Sequence, residues 1–292
     1  MAIYVNNNKE IENIYVSVNG IKKNITSAYI NANGIPQKIF GISSISENDP
    51  YETAPEEAYS NWNYTLDDEN NIITLNYYTG SETDVIVYTN YEVDGKIYKT
   101  QIASNNTIFD YRVPYMFNGY PQTNCRNIRT IIFSRNIDTS NVTTMCHMFN
   151  NCQSLTTIEG LDSFDTSNVT DMNNMFSSCC GLSSLDISHF DTGKVVNMQA
   201  MFSVCNNLTS LDLSNFDTGN VTNMSHMFSA SSALTTLDLC SFDTRNVTTM
   251  ADMFSYCRAM TSIYVTEGKW STSQANTGNM FNRCGTSSVT YK

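Results

Sequence analysis

The chain has 292 residues, of which 15% are charged, with a formal net charge of −12 and a pI near 4.5. Without a basic block it lacks the Lys and Arg that displace counterions from phosphates, which excludes nucleic acid as a partner, and it gains nothing at an anionic membrane surface. No run of about 18 apolar residues exists, so membrane insertion is excluded, and Met1-Ala2-Ile3-Tyr4-Val5 opens without the basic-then-apolar pattern of a secretory signal, so synthesis in the cytoplasm is expected.

Residues 1–46 carry a short repeat: Ile14-Tyr15-Val16-Ser17-Val18-Asn19-Gly20 returns as Tyr29-Ile30-Asn31-Ala32-Asn33-Gly34. Alternating β-formers around Asn-Gly predict hairpins, because both central turn residues need positive φ. Two isolated hairpins are marginal in water, so this module is expected to attach to a larger assembly or to self-associate, which leaves a homo-oligomer open. Residues 47–60, with Glu47, Asp49, Glu52, Glu56, Glu57 and two prolines, read as an acidic linker. Residues 61–115 turn β-rich again and are expected to cap the repeat region. Their strands are Tyr64–Leu66, Ile72–Leu75, Asp84–Tyr88 and Lys96–Tyr98, with turns at Asp67–Asn71 and Asp94-Gly95. Asp67, Asp68 and Glu69 lack the glycine and distal Glu of a calcium loop.

From 116 to 292 the sequence repeats. Met-Phe pairs at 148, 175, 201, 227, 253 and 280 are spaced 27, 26, 26, 26 and 27 residues apart. A period of this size predicts a repeat solenoid, in which each unit buries its apolar face against its neighbours. Within one unit, Leu211 and Leu213 point inward from a strand while Ser210, Asp212 and Ser214 point outward. Val221, Met224, Met227 and Phe228 then fall on one face of a short helix. Between them Asp217 is expected to form an Asx turn and Asn220 to cap the helix. Asn141, Asn168 and Asn246 occupy the same cap position, and this role outweighs their match to a glycosylation pattern. Cys152, Cys179, Cys205, Cys257 and Cys284 recur three residues after each Phe, with Ser231 in the fourth copy. They read as small buried hydrophobes, not as a disulfide framework or zinc site.

These units resemble the BspA-type leucine-rich-repeat surface proteins. The pattern Leu-Asp-Leu-Ser-x-Phe-Asp-Thr-x-Asn-Val-Thr-x-Met-x-x-Met-Phe-x-x-Cys stands almost unaltered at 185–205, 211–231 and 237–257. The resemblance implies a leucine-rich-repeat-like fold, one strand plus one short helix per unit, and adhesion without chemistry. The N-terminal Tyr-Val-x-Val-Asn-Gly repeats are similar to modules of phage and prophage structural proteins.

No phosphate loop, dinucleotide loop or His-Glu-x-x-His is present, so no enzyme activity, cofactor or metal is expected. His147, His189 and His226 are expected to be solvated. The outward strand positions Ser184, Asp186, Ser210, Asp212, Thr236, Asp238 and Tyr264 form the candidate binding strip. Repeated carboxylates share one environment, which does not split two pKa values for acid–base catalysis. The expected function is recognition of a cell-surface protein or glycan by a virion component. The alternatives are a bacterial surface adhesin of the BspA type and a structural virion spacer.

Overall fold

The protein is represented by a computed structural model that describes residues 15–18, 21–24, 29–32, 35–38, 53–55, 58–103 and 124–292. The first repeat positions from Met116, most of the acidic linker and the side chain of Cys125 lie outside the described residues. The chain divides into two compact units, Met1–Glu52 and Thr53–Lys292.

In the first unit, β1 (Tyr15–Val18) pairs antiparallel with β2 (Ile21–Asn24), and β3 (Tyr29–Ala32) with β4 (Ile35–Lys38). Val18 stands opposite Ile21 and Ala32 opposite Ile35, so each pair spans a two-residue Asn-Gly connection, as the sequence predicts.

The second unit opens with a 3₁₀ turn at Ala58–Asn61 and then β5 (Trp62–Asp67), β6 (Ile72–Tyr78), β7 (Asp84–Val87), β8 (Asn90–Val93) and β9 (Lys96–Ile102). Four of these make a sheet in the order β5-β6-β9-β8. Asp94 and Gly95 take φ of 51° and 78°, the positive values a tight hairpin needs between β8 and β9. Strand β8 escapes the sequence reading because Asn90-Tyr91-Glu92-Val93 is too short to show its alternation. Strand β7 belongs elsewhere. It pairs parallel with β10 (Thr130–Phe133), which pairs with β11 (Thr157–Glu159), so the cap donates the first rung of the solenoid. At the other end β12 (Thr236–Asp238), β13 (Ser262–Val265) and β14 (Thr290–Tyr291) form a second parallel ladder.

The repeat region is a solenoid of stacked rungs whose core is a set of side-chain ladders. Phe149, Phe176, Phe202, Phe228, Phe254 and Phe281 stack with ring centroids 5.3–5.8 Å apart. Val, Met and Phe of each rung are buried around them. On the strand side, Leu213 is buried and Asp212 exposed, whereas Leu211 is half-buried and not fully inward. Residues 184–186 and 210–212 form no regular strand, so on this side strand pairing is confined to the ends of the stack, while isolated parallel bridges such as Asn197 with Asn223 join the rungs on the ribbon side.

The expected short helix is absent: no α-helix occurs among the described residues. His226 and Ala230 take φ of 59°, the left-handed region, and every rung repeats this pair of positions, from His147 and Asn151 to Asn279 and Arg283. Such residues interrupt a right-handed helix. The N–H groups of Met224, His226, Phe228 and Ala230 instead donate to the carbonyls of Thr249, Ala251, Met253 and Ser255 in the next rung, at 2.7–3.0 Å. Intervening N–H groups close local turns, as Met227 does onto Met224. A helix would satisfy these donors inside its own unit and leave nothing to join the units. The Val-Met-Met-Phe spacing mimics a helical face because the inward residues of this turn ribbon also recur every three or four positions.

Candidate functional site

The strand-side strip is where the sequence places it. Ser184, Asp186, Ser210, Asp212, Thr236 and Asp238 are exposed and Tyr264 is half-exposed. Within the β12–β13 ladder, Thr236 stands beside Ser262 and Asp238 beside Tyr264. Serine, threonine and aspartate at these alternate positions face solvent because the intervening residues face the core.

The aspartates do more than face outward. Asp186 Oδ1 accepts from the N–H and hydroxyl of Ser188 at 3.1 and 2.8 Å, and Asp212 Oδ1 accepts from Ser214 N–H at 3.0 Å. Asp238 Oδ1 accepts from Cys240 N–H at 3.1 Å. Each is an Asx turn that holds the chain as it leaves the strand. The Ser188 and Ser214 backbone amides, with their hydroxyls, lower the Asp186 and Asp212 pKa. Hydrogen bonding from the Cys240 side chain and from Lys292 lowers that of Asp238. Lys292 Nζ lies 3.0 Å from Asp238 Oδ2 and 3.7 Å from the Tyr264 ring centroid. The C-terminal side of the strip therefore already shows an ammonium group clamped between a carboxylate and an aromatic face.

The corner motif resolves into three separate functions. Asp165, Asp191, Asp217 and Asp243 each accept from the N–H two residues on, as the Asx-turn reading requires. Asn220 does not cap a helix. Its Nδ2 donates to the Gly193 carbonyl of the preceding rung at 2.7 Å, and Asn168 and Asn246 do the same to Ser140 and Gly219. At the variant position, Lys194 Nζ donates to Asn168 Oδ1 instead. The sequence reading missed the threonine. Buried Thr192 Oγ1 accepts from the Asp217 N–H at 2.8 Å and donates to the Asp217 carbonyl at 2.9 Å, so one hydroxyl ties two rungs twice. Thr139, Thr166 and Thr218 repeat this in their rungs. The recurrence of a hydroxyl between buried Phe and buried Val was the signal.

The ladder cysteines form no disulfide among the described residues, and Cys152, Cys179, Cys205 and Cys257 are buried. Their thiols also donate hydrogen bonds: Cys179, Cys205 and Cys257 Sγ lie 3.1, 3.2 and 2.9 Å from the carbonyls of Phe149, Phe176 and Phe228. Ser231 Oγ makes the same bond to Phe202 at 2.6 Å, which explains why serine substitutes there. Burial pushes the Cys205 and Cys257 thiols up to about 12, so they stay protonated.

Of the histidines, only His226 is exposed. His147 is half-buried, with Asn150 Nδ2 2.7 Å from its Nδ1, and burial lowers its pKa to about 4. His189 packs edge-on against Phe190; its buried Nε2 and the buried Oδ1 of Asn215, one rung on, are without partners among the described residues. Both depart from the solvated state expected, because each ring is half-buried. No group of three metal-ligating side chains occurs among the described residues, and no helix there is long and apolar enough to cross a membrane.

The chain is similar to the Treponema pallidum leucine-rich-repeat protein TpLRR at 18% identity, covering 74% of this chain and 87% of that one, with a TM-score of 0.46. A leucine-rich cell-surface protein from Faecalibacterium prausnitzii is similar at 19% identity, covering 70% of this chain and 53% of that one, with a TM-score of 0.39. A Bacteroides ovatus leucine-rich-repeat protein is similar at 16% identity, covering 74% and 56%, with a TM-score of 0.43. The chain thus spans little more than half the length of the last two. No curated protein matches it in sequence. Residues 112–211 and 183–291, together more than half of the chain, match the family described as Mycoplasma protein of unknown function, DUF285, and the chain belongs to that family.

Proposed function

We propose that this protein is a non-enzymatic recognition protein of the BspA cell-surface type, which binds basic protein segments or glycans along its strand-side strip. The observation that carries the reading is the Lys292 contact: one ammonium group bridges Asp238 Oδ2 and the Tyr264 ring on the strip itself. Asp186 and Asp212 are held by the same Asx geometry and use Oδ1 internally. A row of fixed carboxylates costs little ordering entropy when a ligand arrives. The repeat pattern at 185–205, 211–231 and 237–257 supports the surface-protein type. Equivalent environments for the repeated aspartates argue against acid–base catalysis on the strip. The virion reading rests on the resemblance of residues 1–46 alone, and nothing in the solenoid favours it.

The test keeps the turns and removes the charge. The triple variant Asp186→Asn, Asp212→Asn, Asp238→Asn retains an Oδ1 acceptor at each turn, so its melting temperature is expected to stay near that of the parent. Binding to lysine-rich peptide arrays and glycan arrays is expected to fall about tenfold or more. Unchanged binding by a folded triple variant removes the strip from consideration.

A further inference from the structure

The three strip carboxylates are not equally free. Asp186 and Asp212 form no ion pair among the described residues, whereas Asp238 is paired with Lys292. Asp238 Oδ1 accepts from the Cys240 N–H, so Oδ2 is the oxygen left to meet an incoming cation, and it lies 3.0 Å from Lys292 Nζ. The same Nζ stands 3.7 Å from the Tyr264 ring centroid, over the aromatic face that favours a cation. Strand register brings these groups together. Asp238 stands beside Tyr264 in the β12–β13 pair and Tyr264 beside Thr290 in the β13–β14 pair, so the residue after β14 returns across the strip.

The main chain and the side chain of Lys292 are held differently. Its N–H donates to the Val265 carbonyl at 2.9 Å, which continues the β13–β14 pairing and anchors the backbone. The Lys292 and Asp238 side chains retain 50% and 59% of their accessible surface, and an ion pair so exposed to water is weak. A weak contact on a short tether still competes, because a group of the same chain acts at an effective concentration on the order of millimolar. The flexible lysine stem lets the ammonium leave without moving β14.

We propose, on the reading of the strip as the ligand surface, that Lys292 is an internal competitor: its ammonium stands where a lysine of a protein partner docks. The partner displaces it to engage Asp238 Oδ2 and the Tyr264 face. Asp186 and Asp212 are open at first encounter, and the third contact forms only as the Lys292 side chain swings into solvent. Segments whose lysines reach Asp186 and Asp212 first are therefore favoured over those that reach Asp238 alone.

The experiment uses the full chain and a fluorescent capped dodecapeptide of alternating Lys and Thr, followed by anisotropy. Binding by the parent that the variant Asp186→Asn, Asp212→Asn, Asp238→Asn loses establishes the strip. Lys292→Met should then tighten binding about fivefold, with folding checked by thermal melting. Loss of any positive charge favours a cationic probe through the long-range field. Lys269→Met, at an exposed lysine outside the strip, supplies that baseline and should change affinity by less than about twofold. In an Asp238→Asn background Lys292→Met should gain no more than the baseline, because the contested carboxylate is gone. If the strip is established but Lys292→Met only matches Lys269→Met, or its gain survives Asp238→Asn, the competitor is overturned and the strip reading stands. Weaker binding by Lys292→Met makes Lys292 part of the ligand surface and also overturns it. Absence of binding by the parent and by Lys292→Met alike overturns the strip reading and the competitor together.

Discussion

The cap at 58–103 and the solenoid at 124–292 use backbone hydrogen bonding differently. In the cap, strands of a mixed sheet exchange bonds in both directions, and its core is a set of individual partners: Trp62 against Tyr78 at 5.1 Å and Tyr88 against Tyr91 at 5.9 Å. In the solenoid the turn ribbon donates from four positions per rung toward the C-terminal side and from one toward the N-terminal side, as Thr222 does to Val196, and the same few side chains recur in every rung. The cap therefore depends on particular contacts, whereas the solenoid depends on slots. A change to a slot acts on a rung and its two neighbours, as nearest-neighbour stacks require. Position along the stack should then matter as much as residue type.

The largest expected effect tests that statement. Phe202 is fully buried between Phe176 and Phe228, while Phe281 has a ring neighbour on one side only. Phe202→Ala should cost about 3–5 kcal/mol by loss of burial and creation of a cavity. Phe281→Ala should cost less than half as much. Denaturant midpoints decide between them, and equal losses would mean that the rings do not act as a stack.

The threonine staple comes next. Thr192→Val keeps the shape but leaves the Asp217 N–H and carbonyl without their hydroxyl partner, which should cost about 1–3 kcal/mol in urea unfolding. Thr192→Ser keeps both bonds and should lose much less. If the two variants are equally destabilised, the methyl group and not the hydroxyl holds the rungs.

Features legible in the sequence and features hidden from it divide along the same line. The period, the inward Met, Phe and Leu, the Asn-Gly hairpins and the Asx turns at Asp191 and Asp217 are local or periodic, so residue types alone locate them. The outward strip from Ser184 to Tyr264 was legible from alternation. The turn ribbon was not, because left-handed Val204, Ala230 and Arg283 are types that carry no signal for positive φ, and the inward spacing coincides with a helical face. Asn220 and Thr192 reach into neighbouring rungs, and the capping preference of Asn within one unit hid a bond made 27 residues away.

Slots that match in sequence still differ in environment, and pH exposes this. His147 and His226 share one slot, but only His147 is half-buried, with its pKa lowered from 6.5 to about 4. The unfolded chain therefore takes up the proton first. The stability due to keeping this ring neutral is complete above pH about 6.5 and is lost progressively toward pH 4. At about 1.4 kcal/mol per pH unit across that window, stability should fall by about 2 kcal/mol between pH 7 and 5. His147→Asn, which tolerates the positive φ, should flatten that slope in urea melts. An unaltered slope would place the pH dependence elsewhere.

The smallest effect is expected at a slot the protein has already varied. Cys205→Ser should stay within about 1 kcal/mol of the parent, because Ser231 already makes the equivalent bond one rung on. Its thiol nevertheless gives the sharpest reading of how cap and solenoid are joined. Residues 58–103 contain no cysteine, so thiol labelling followed by peptide mass spectrometry reports on the solenoid alone. With pKa values near 12 and full burial, Cys205 and Cys257 should resist a maleimide at pH 8 until their rungs open. Strand β7 links the cap to the first rungs, so Tyr91→Ala in the cap should speed labelling of Cys152 most and Cys257 least. Uniform acceleration at all three would show that cap and stack unfold as one cooperative unit, and that the division between particular contacts and repeated slots does not extend to unfolding.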